Sequence, residues 1–318
     1  MTPAMEKRKK EEAERALRAK LESSKKGPSQ NDKPICRRIR KAREFSKKLG
    51  VPGGVLRDKD GLMKKPDIDI VIPLSGTMYL PHLRNCLASI SRQTFPQEDI
   101  GITISCVMYE SVDVEPLANL CMEHEAALIF TKRRHKSFSR GFALNVGARY
   151  GSRSLVAFVD ADVYLHPRTL QVAAGQCATA VMAVIPVVRT DNGPKHPVWT
   201  TGNLNRDDFW RKFIADLPYA KGGYGNAVVR RPVFEQMHGH DERFFGWGGI
   251  DTDIYFRMLK SGRVVDLDEV GLLRALHQKH KPPVSKRDPE NTKRNRRLLD
   301  QSKDIVRNPN RWGRVRCK

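Results

Sequence analysis

No stretch of this 318-residue chain approaches the roughly 18 to 20 consecutive apolar residues that a bilayer-spanning helix requires. The opening stretch MTPAMEKRKKEEAERALRAK has charge without an apolar segment behind it, so it does not read as a secretory signal. Cysteine is scattered: Cys36, Cys86, Cys106, Cys121, Cys177 and Cys317 form no CxxC pair. Four of them fall in apolar runs, where a free thiol behaves as a small hydrophobe, and a reduced, cytoplasmic compartment is the plain expectation. Internal repeats are absent, which removes repeat architectures. Glycine is scarce in PLSGTMYLP, after the first expected strand, which argues against the Gly-rich phosphate loop of a nucleotidyltransferase.

What is present is charge, unevenly placed. The formal net charge is +22, yet residues 1–65 carry 21 Lys and Arg against 9 Asp and Glu, and residues 278–318 carry 14 against 4. The 23 basic and 23 acidic residues between them cancel. A neutral core flanked by basic arms fits contact with a polyanion made by the arms; the plainer alternative is that the arms only keep the chain soluble. The arms are taken as 1–66 and 282–318, around a domain at 67–281.

Residues 5–24 are rich in Ala, Glu, Lys and Arg and suit a solvated helix without a core-packing face. From residue 67 the pattern changes. DIDIVIPL, IGITISCVMYE, AALIFT, SLVAFVD and AVMAVIPVVR (180–189) read as five strands. Helices lie between them, one with Leu80, Leu83, Leu87 and Ile90 in phase and another, SRGFALNVGARYG, closed by Gly151. Pro167 suits the start of a further helix. This alternation predicts an α/β domain with a mostly parallel sheet covered on both faces, and ligands bind such sheets outside the carboxyl ends of the strands. Residues 190–225 read as a long functional loop region. DTDIYFRMLKSG reads as a helix begun by an Asp cap and ended at Gly262.

The fourth expected strand ends in Asp160-Ala-Asp162. Like charges one residue apart resist burial unless something positive joins them. A divalent cation, Mn²⁺ or Mg²⁺, held by these carboxylates and by substrate phosphates suits that position. An exposed turn with aspartates at Asx positions is the alternative.

These segments together resemble a nucleotide-sugar glycosyltransferase of the GT-A (Rossmann-like) fold over about 67–281. DIVIPL is similar to the family's first strand. SFSRGFALNVGARYGSRSLVAFVDADV is similar to its Arg-x₃₋₄-Asn-x-Gly-Ala helix and DxD strand. GGYGNAVVRRPVFEQMHGHDERFFGWGGIDTDIYFRM resembles the acceptor-side segment of galactosyltransferase-like and chondroitin-polymerase-like enzymes, with their Gly-Trp-Gly-Gly-Glu-Asp motif.

The resemblance implies a role for each residue. Asp160 and Asp162 would hold the metal that bridges the donor diphosphate, with His277 as a further ligand. His277 and His280 would face one side of a helical turn, His280 among lysines. Pro73, Glu110, Arg140, Asn145 and Asp160 would line the donor site. Glu110 reads equally as a surface carboxylate, and Arg140 and Asn145, five apart, need not share a helix face. Asp251 would be the base that takes the acceptor proton in an inverting transfer. Trp247, Gly248, Gly249 and Asp253 would face the acceptor, with Trp247 stacking on it or packing in the core and Asp253 a fallback base. Ile250 replaces the family's glutamate, which removes a polar acceptor contact.

The implied donor is a nucleotide sugar, a UDP-sugar in the common case. Two acceptors fit the basic arms: a hydroxymethylated base in DNA, or a polysaccharide or glycoconjugate made at the cytoplasmic face. A non-catalytic nucleic-acid-binding protein is the reading from another class; the intact DxD and Asp251 speak against it.

Overall fold

The computed structural model describes residues 65–76, 79–108, 114–132, 138–215, 217, 223–246, 248–271, 273–280, 288–301, 304–308 and 312–314. The helix expected at 5–24, Glu110 and Trp247 lie outside the described residues.

Strand β1 (Ile68–Leu74) is buried along its whole length. Ile68, Ile70, Ile72 and Leu74 enter one apolar cluster, while Val71 enters another on the opposite side of the sheet. That period of two, apolar on both faces, is what a covered parallel strand demands. Helix α1 (Leu80–Ile90) follows, with proline in its first turn and Leu83, Leu87 and Ile90 buried. Then come β2 (Ile100–Met108), α2 (Glu115–Glu123), β3 (Ala127–Lys132), α3 (Arg140–Tyr150) and β4 (Leu155–Phe158). The hydroxyl of Ser139 caps α3 by accepting from the Phe142 N–H.

The second half runs β5 (Val163–Tyr164), α4 (Thr169–Gln176), β6 (Met182–Val184), β7 (Val187–Arg189), α5 (Asp207–Ala215), β8 (Ala227–Arg230) and α6 (Arg231–Gln236). It closes with α7 (Ile250–Ser261), β9 (Val264–Asp266), α8 (Leu267–Gly271), β10 (Ala275–His277) and α9 (Pro289–Gln301). Among the described residues the main sheet has seven strands in the order β3-β2-β1-β4-β8-β6-β9. Only β8 runs antiparallel to its neighbours, β4 and β6. A small second sheet, β5-β10-β7, lies over the carboxyl end of β4.

Three expectations need correction. The run 180–189 is two strands in two sheets, because Pro186 has no N–H for a ladder bond and the chain leaves the main sheet there. The stretch 190–225 contains α5, whose Trp210 joins Trp199, Leu204 and Tyr164 in an apolar cluster of their own. Helix α7 is not capped by an aspartate; its N-cap is Gly249, at φ +89°, where an added Cβ would meet the Phe244 ring at 2.7 Å.

The described part of 282–318 packs on the domain. Asn295 of α9 is 1% exposed and Arg307 is 5% exposed. Arg307 lies 3.3 Å from both Asp241 and Asp253, and Asp253 also pairs with Arg257 at 2.6 Å. Asn308 donates to the carbonyls of His238 and His240. Residues 304–308 therefore strap the segment that precedes α7. Removing one member of such a network leaves buried charge uncompensated, so Arg307→Ala is expected to lower stability by about 3–5 kcal/mol in urea unfolding. A loss under about 1 kcal/mol would mean that the strap is peripheral.

Candidate active site

The register of the two sheets assembles the site at the carboxyl end of β4. Because Phe158 pairs with Ala227, the residue before β8, Asn226, comes alongside Asp160. The Asp160 N–H donates to Asn226 Oδ1 at 2.8 Å, and Asn226 Nδ2 donates to Asp160 Oδ2 at 3.0 Å. Two residues on, β5 pairs antiparallel with β10, matching Val163 to His277. That pairing sets His277 beside Asp162, and the Gln278 N–H donates to the Asp162 carbonyl at 2.9 Å.

Two clusters result. In the first, Arg140 at the start of α3 donates from Nε to Asp160 Oδ1 (2.8 Å), from Nη1 to Asp251 Oδ1 (2.8 Å) and from Nη2 to the Gly225 carbonyl (2.6 Å). One guanidinium thus ties the DxD strand end to the first turn of α7. Gly225 is required by closeness: a Cβ there would stand 3.0 Å from Asp251 Oδ2. Burial opposes the Arg140 charge, but Asp160 and Asp251 more than offset it and raise its pKa. Burial pushes Asp251 up, and Asp160 adds to this, against the pull of Arg140. The Asp251 side chain is 39% exposed, open to a substrate.

In the second cluster, Asp162, His277 and His280 hold ligand atoms within 4.8 Å of one another. Asp162 Oδ2 lies 2.9 Å from His280 Nε2 and 3.4 Å from His277 Nε2. Burial would raise the Asp162 pKa, but hydrogen bonds and charge from both imidazoles hold it well below the usual carboxylate range. Buried polar contacts fix the cluster from behind. Gln278 accepts from Asn85 Nδ2 (2.8 Å) and donates to the His82 carbonyl (3.0 Å), while Thr190 Oγ1 donates to the His277 carbonyl (3.0 Å). The rings of Tyr79 and His82 pack edge-on against His280.

The sequence-derived residues divide accordingly. Asp160, Arg140 and Asp251 come together, as do Asp162 and His277. The histidines are not on a helical turn, since His277 ends β10 and His280 follows it in an extended loop. Nor is His280 solvated among lysines, because its side chain is 8% exposed. Asp160 is held by Arg140 and Asn226 and is not among the ligand atoms that Asp162, His277 and His280 bring within 4.8 Å of one another. Pro73 is a buried β1 residue beyond the last pair with β4. Asn145 is fully buried, donating to the His240 carbonyl and Glu242 and accepting from the His240 N–H. Asp253 is 2% exposed within the Arg257–Arg307 network. Gly248 and Gly249, both at positive φ, form the turn into α7. Asn226 was not singled out in the sequence; its only local sign is its place between Gly225 and the apolar run AVV.

The strand order and the helices flanking the sheet are those of a GT-A-type domain. The structure of S. aureus TarS 1–349 in complex with UDP-GlcNAc has the same fold, with a TM-score of 0.51 over 73% of this chain and 65% of that one at 15% identity. Residues 69–286 match the model of the family described as glycosyltransferase like family 2, and the chain belongs to that family. It is 25% identical over 230 residues to mouse chondroitin sulfate N-acetylgalactosaminyltransferase 1, covering 67% of this chain and 41% of that protein. It is 30% identical over 229 residues to the human protein of the same name, again 67% and 41%. With human chondroitin sulfate synthase 3 it shares 28% identity over 157 residues, 46% of this chain and 17% of that protein. The chain therefore spans about two fifths or less of these relatives. Among the described residues no helix is long and apolar enough to cross a membrane.

Proposed function

We propose that this chain is a metal-dependent, inverting glycosyltransferase that moves an N-acetylhexosamine from a UDP-sugar to a hydroxyl of an anionic glycan. The observation that carries the reading is the Arg140 bridge, which brings the DxD strand end and the carboxylate of Asp251 to opposite sides of one guanidinium. Such a transfer needs those two functions side by side: charge stabilisation for a departing diphosphate and a base for the attacking hydroxyl.

The donor set of the second cluster fits a divalent cation. One carboxylate and two imidazoles suit Mn²⁺ better than Mg²⁺, which prefers oxygen ligands throughout. Asp162, His277 and His280 would hold the ion, which when bound supplies Lewis-acid stabilisation of the diphosphate. Asp251 takes the proton as the acceptor oxygen bonds to the anomeric carbon and the bond from that carbon to the diphosphate breaks. Arg140 holds Asp251 in place, and Asn226 fixes Asp160 at the donor side. Asn145 and Asp253 support the loop and helix from within, outside the reacting groups.

The relatives' names support an N-acetylhexosamine and a chondroitin-like acceptor. The formal charge of +22 supports an anionic acceptor of some kind, and DNA with hydroxymethylated pyrimidines is the second candidate on that ground. The test combines the protein, Mn²⁺, a panel of UDP-sugars, chondroitin oligosaccharides and hydroxymethylated DNA, with products weighed by mass spectrometry. An N-acetylhexosamine gain on the oligosaccharide supports the reading. A gain on a nucleoside replaces the acceptor, and neither product nor donor hydrolysis would sink the transferase mechanism.

The contacts behind the histidines give a separate prediction. Gln278→Ala removes the bonds to Asn85 and the His82 carbonyl, and Mn²⁺ affinity is expected to fall by about 10–100-fold. Calorimetry with Mn²⁺ and no donor reads this directly; an unchanged affinity would refute the cluster as the metal site or Gln278 as its support.

A further inference from the structure

Helix α9 lies beyond residue 286, where the family match ends. It is fastened to the loop that leads to Asp251. Asn295 Nδ2 donates to the carbonyls of Phe245 (2.8 Å) and Gly248 (3.1 Å). Arg294 donates to the Arg243 carbonyl at 2.7 Å, and its guanidinium sits 4.8 Å from the centre of the Phe245 ring. Those two residues define the inward side of the helix.

Lys293, Arg296 and Arg297 are exposed. At about 100° per residue Lys293 and Arg297 stand roughly 160° from Asn295 and Arg296 roughly 100° from it, so the three lie off the side that Asn295 turns inward, with Arg294 bordering them. They have no ion-pair partner among the described residues, whereas the neighbouring Arg294 and Arg307 are both committed to internal contacts. Like charges three and four apart destabilise a helix by a few tenths of a kcal/mol per pair, so this arrangement does nothing for folding.

We propose that this outer face of α9 is an extended-acceptor surface, which binds the anionic glycan chain beyond the residue being glycosylated. The inference rests on the anionic-glycan reading above. The face is one helix width, roughly 10 Å, from the loop it is fastened to, so only an acceptor longer than the cleft itself reaches it. It presents cations without any aromatic residue, since PENTKRNRRLLDQ contains none. A surface for single-stranded nucleic acid would combine charge with stacking platforms, so charge alone fits carboxylate or sulfate groups along a polysaccharide; duplex phosphates are the alternative that the test separates.

The test replaces Lys293, Arg296 and Arg297 together by alanine in the full chain, a change compatible with helix. A charge-keeping control carries Lys293→Arg, Arg296→Lys and Arg297→Lys. Binding of fluorescent chondroitin sulfate polymer, and in parallel of fluorescent duplex DNA, is measured by anisotropy against salt, without donor, so that the result does not depend on turnover. The alanine variant is expected to bind about tenfold more weakly, with a flatter salt dependence, and the control to bind as the parent does. In transfer assays KM for the polymer should rise while kcat, and KM for a short chondroitin oligosaccharide, stay unchanged. Equal polymer binding by parent and variant would overturn the proposal, as would an equal rise in both KM values. A loss confined to DNA binding would overturn it in favour of nucleic acid. If the parent binds polymer through this face but glycosylates nothing, the proposed function fails while the surface stands.

Discussion

Asp251→Asn is expected to lower kcat for transfer by about 10²–10⁴-fold while leaving UDP-sugar binding close to that of the parent. The amide has nearly the shape of the carboxylate, and its oxygen can still accept the 2.8 Å bond from Arg140. What it loses is the capacity to take a proton from the acceptor hydroxyl. Donor affinity by calorimetry and transfer by product mass spectrometry separate the two effects. If kcat survived, the base would have to be sought elsewhere.

The same residue dictates the acid limb of the pH profile. Burial and the Asp160 carboxylate raise the Asp251 pKa, with Arg140 opposing. A base works when deprotonated, so kcat should fall as pH drops through this raised pKa and level off above it. Asp162 does not contribute to that limb, because its pKa is displaced downward by the two imidazoles. Asp251→Asn should remove the limb along with most of the rate.

Asp162→Ala is the second large expected effect. It deletes the one carboxylate of the histidine cluster and leaves two imidazoles within reach of each other. Transfer should drop by about 10³-fold, corresponding to several kcal/mol of lost charge stabilisation in the transition state. Mn²⁺ binding should be lost in parallel. Circular dichroism should be unchanged, since Asp162 lies in a turn beyond β4. Asp160→Asn provides the contrast: it weakens the tie to Arg140 but leaves the cluster intact, so it should reduce transfer while Mn²⁺ still binds. Full activity in Asp162→Ala would refute the metal assignment.

Much of the fold was legible in the sequence because a parallel sheet covered on both faces needs near-continuous apolar runs, and IVIPL and LVAFV are such runs. The split at Pro186 was harder to see, since AVMAVIPVV is apolar throughout and only the proline marks where the chain changes sheets. In the site, Asp160, Arg140 and Asp251 could be named from motifs. Periodicity could not say that one arginine joins two carboxylates 91 positions apart, as that depends on how β4, α3 and α7 meet. His280 was misread because neighbouring lysines make a histidine look solvated, whereas its burial comes from Tyr79 and His82 on a distant helix start. Asn145 and Asp253 carry motif positions but perform internal duties. Short polar side chains serve a ligand or a backbone equally well, and only burial tells them apart.

The strap formed by residues 304–308 bears on the order in which the chain completes its fold. Strand β4, which leads into Asp160, can pair early during synthesis, because its partner β1 precedes it and β8 follows within about 70 residues, whereas β5, just after Asp162, must wait for β10. The segment at 238–242 is closed over, and Asp253 of α7 gains its second arginine, only when Arg307 and Asn308 have left the ribosome. A nascent chain can thus pair β1, β4 and β8 well before the segment leading to α7 is strapped, and loss of residues 304–308 from the folded chain would return that segment to its earlier condition.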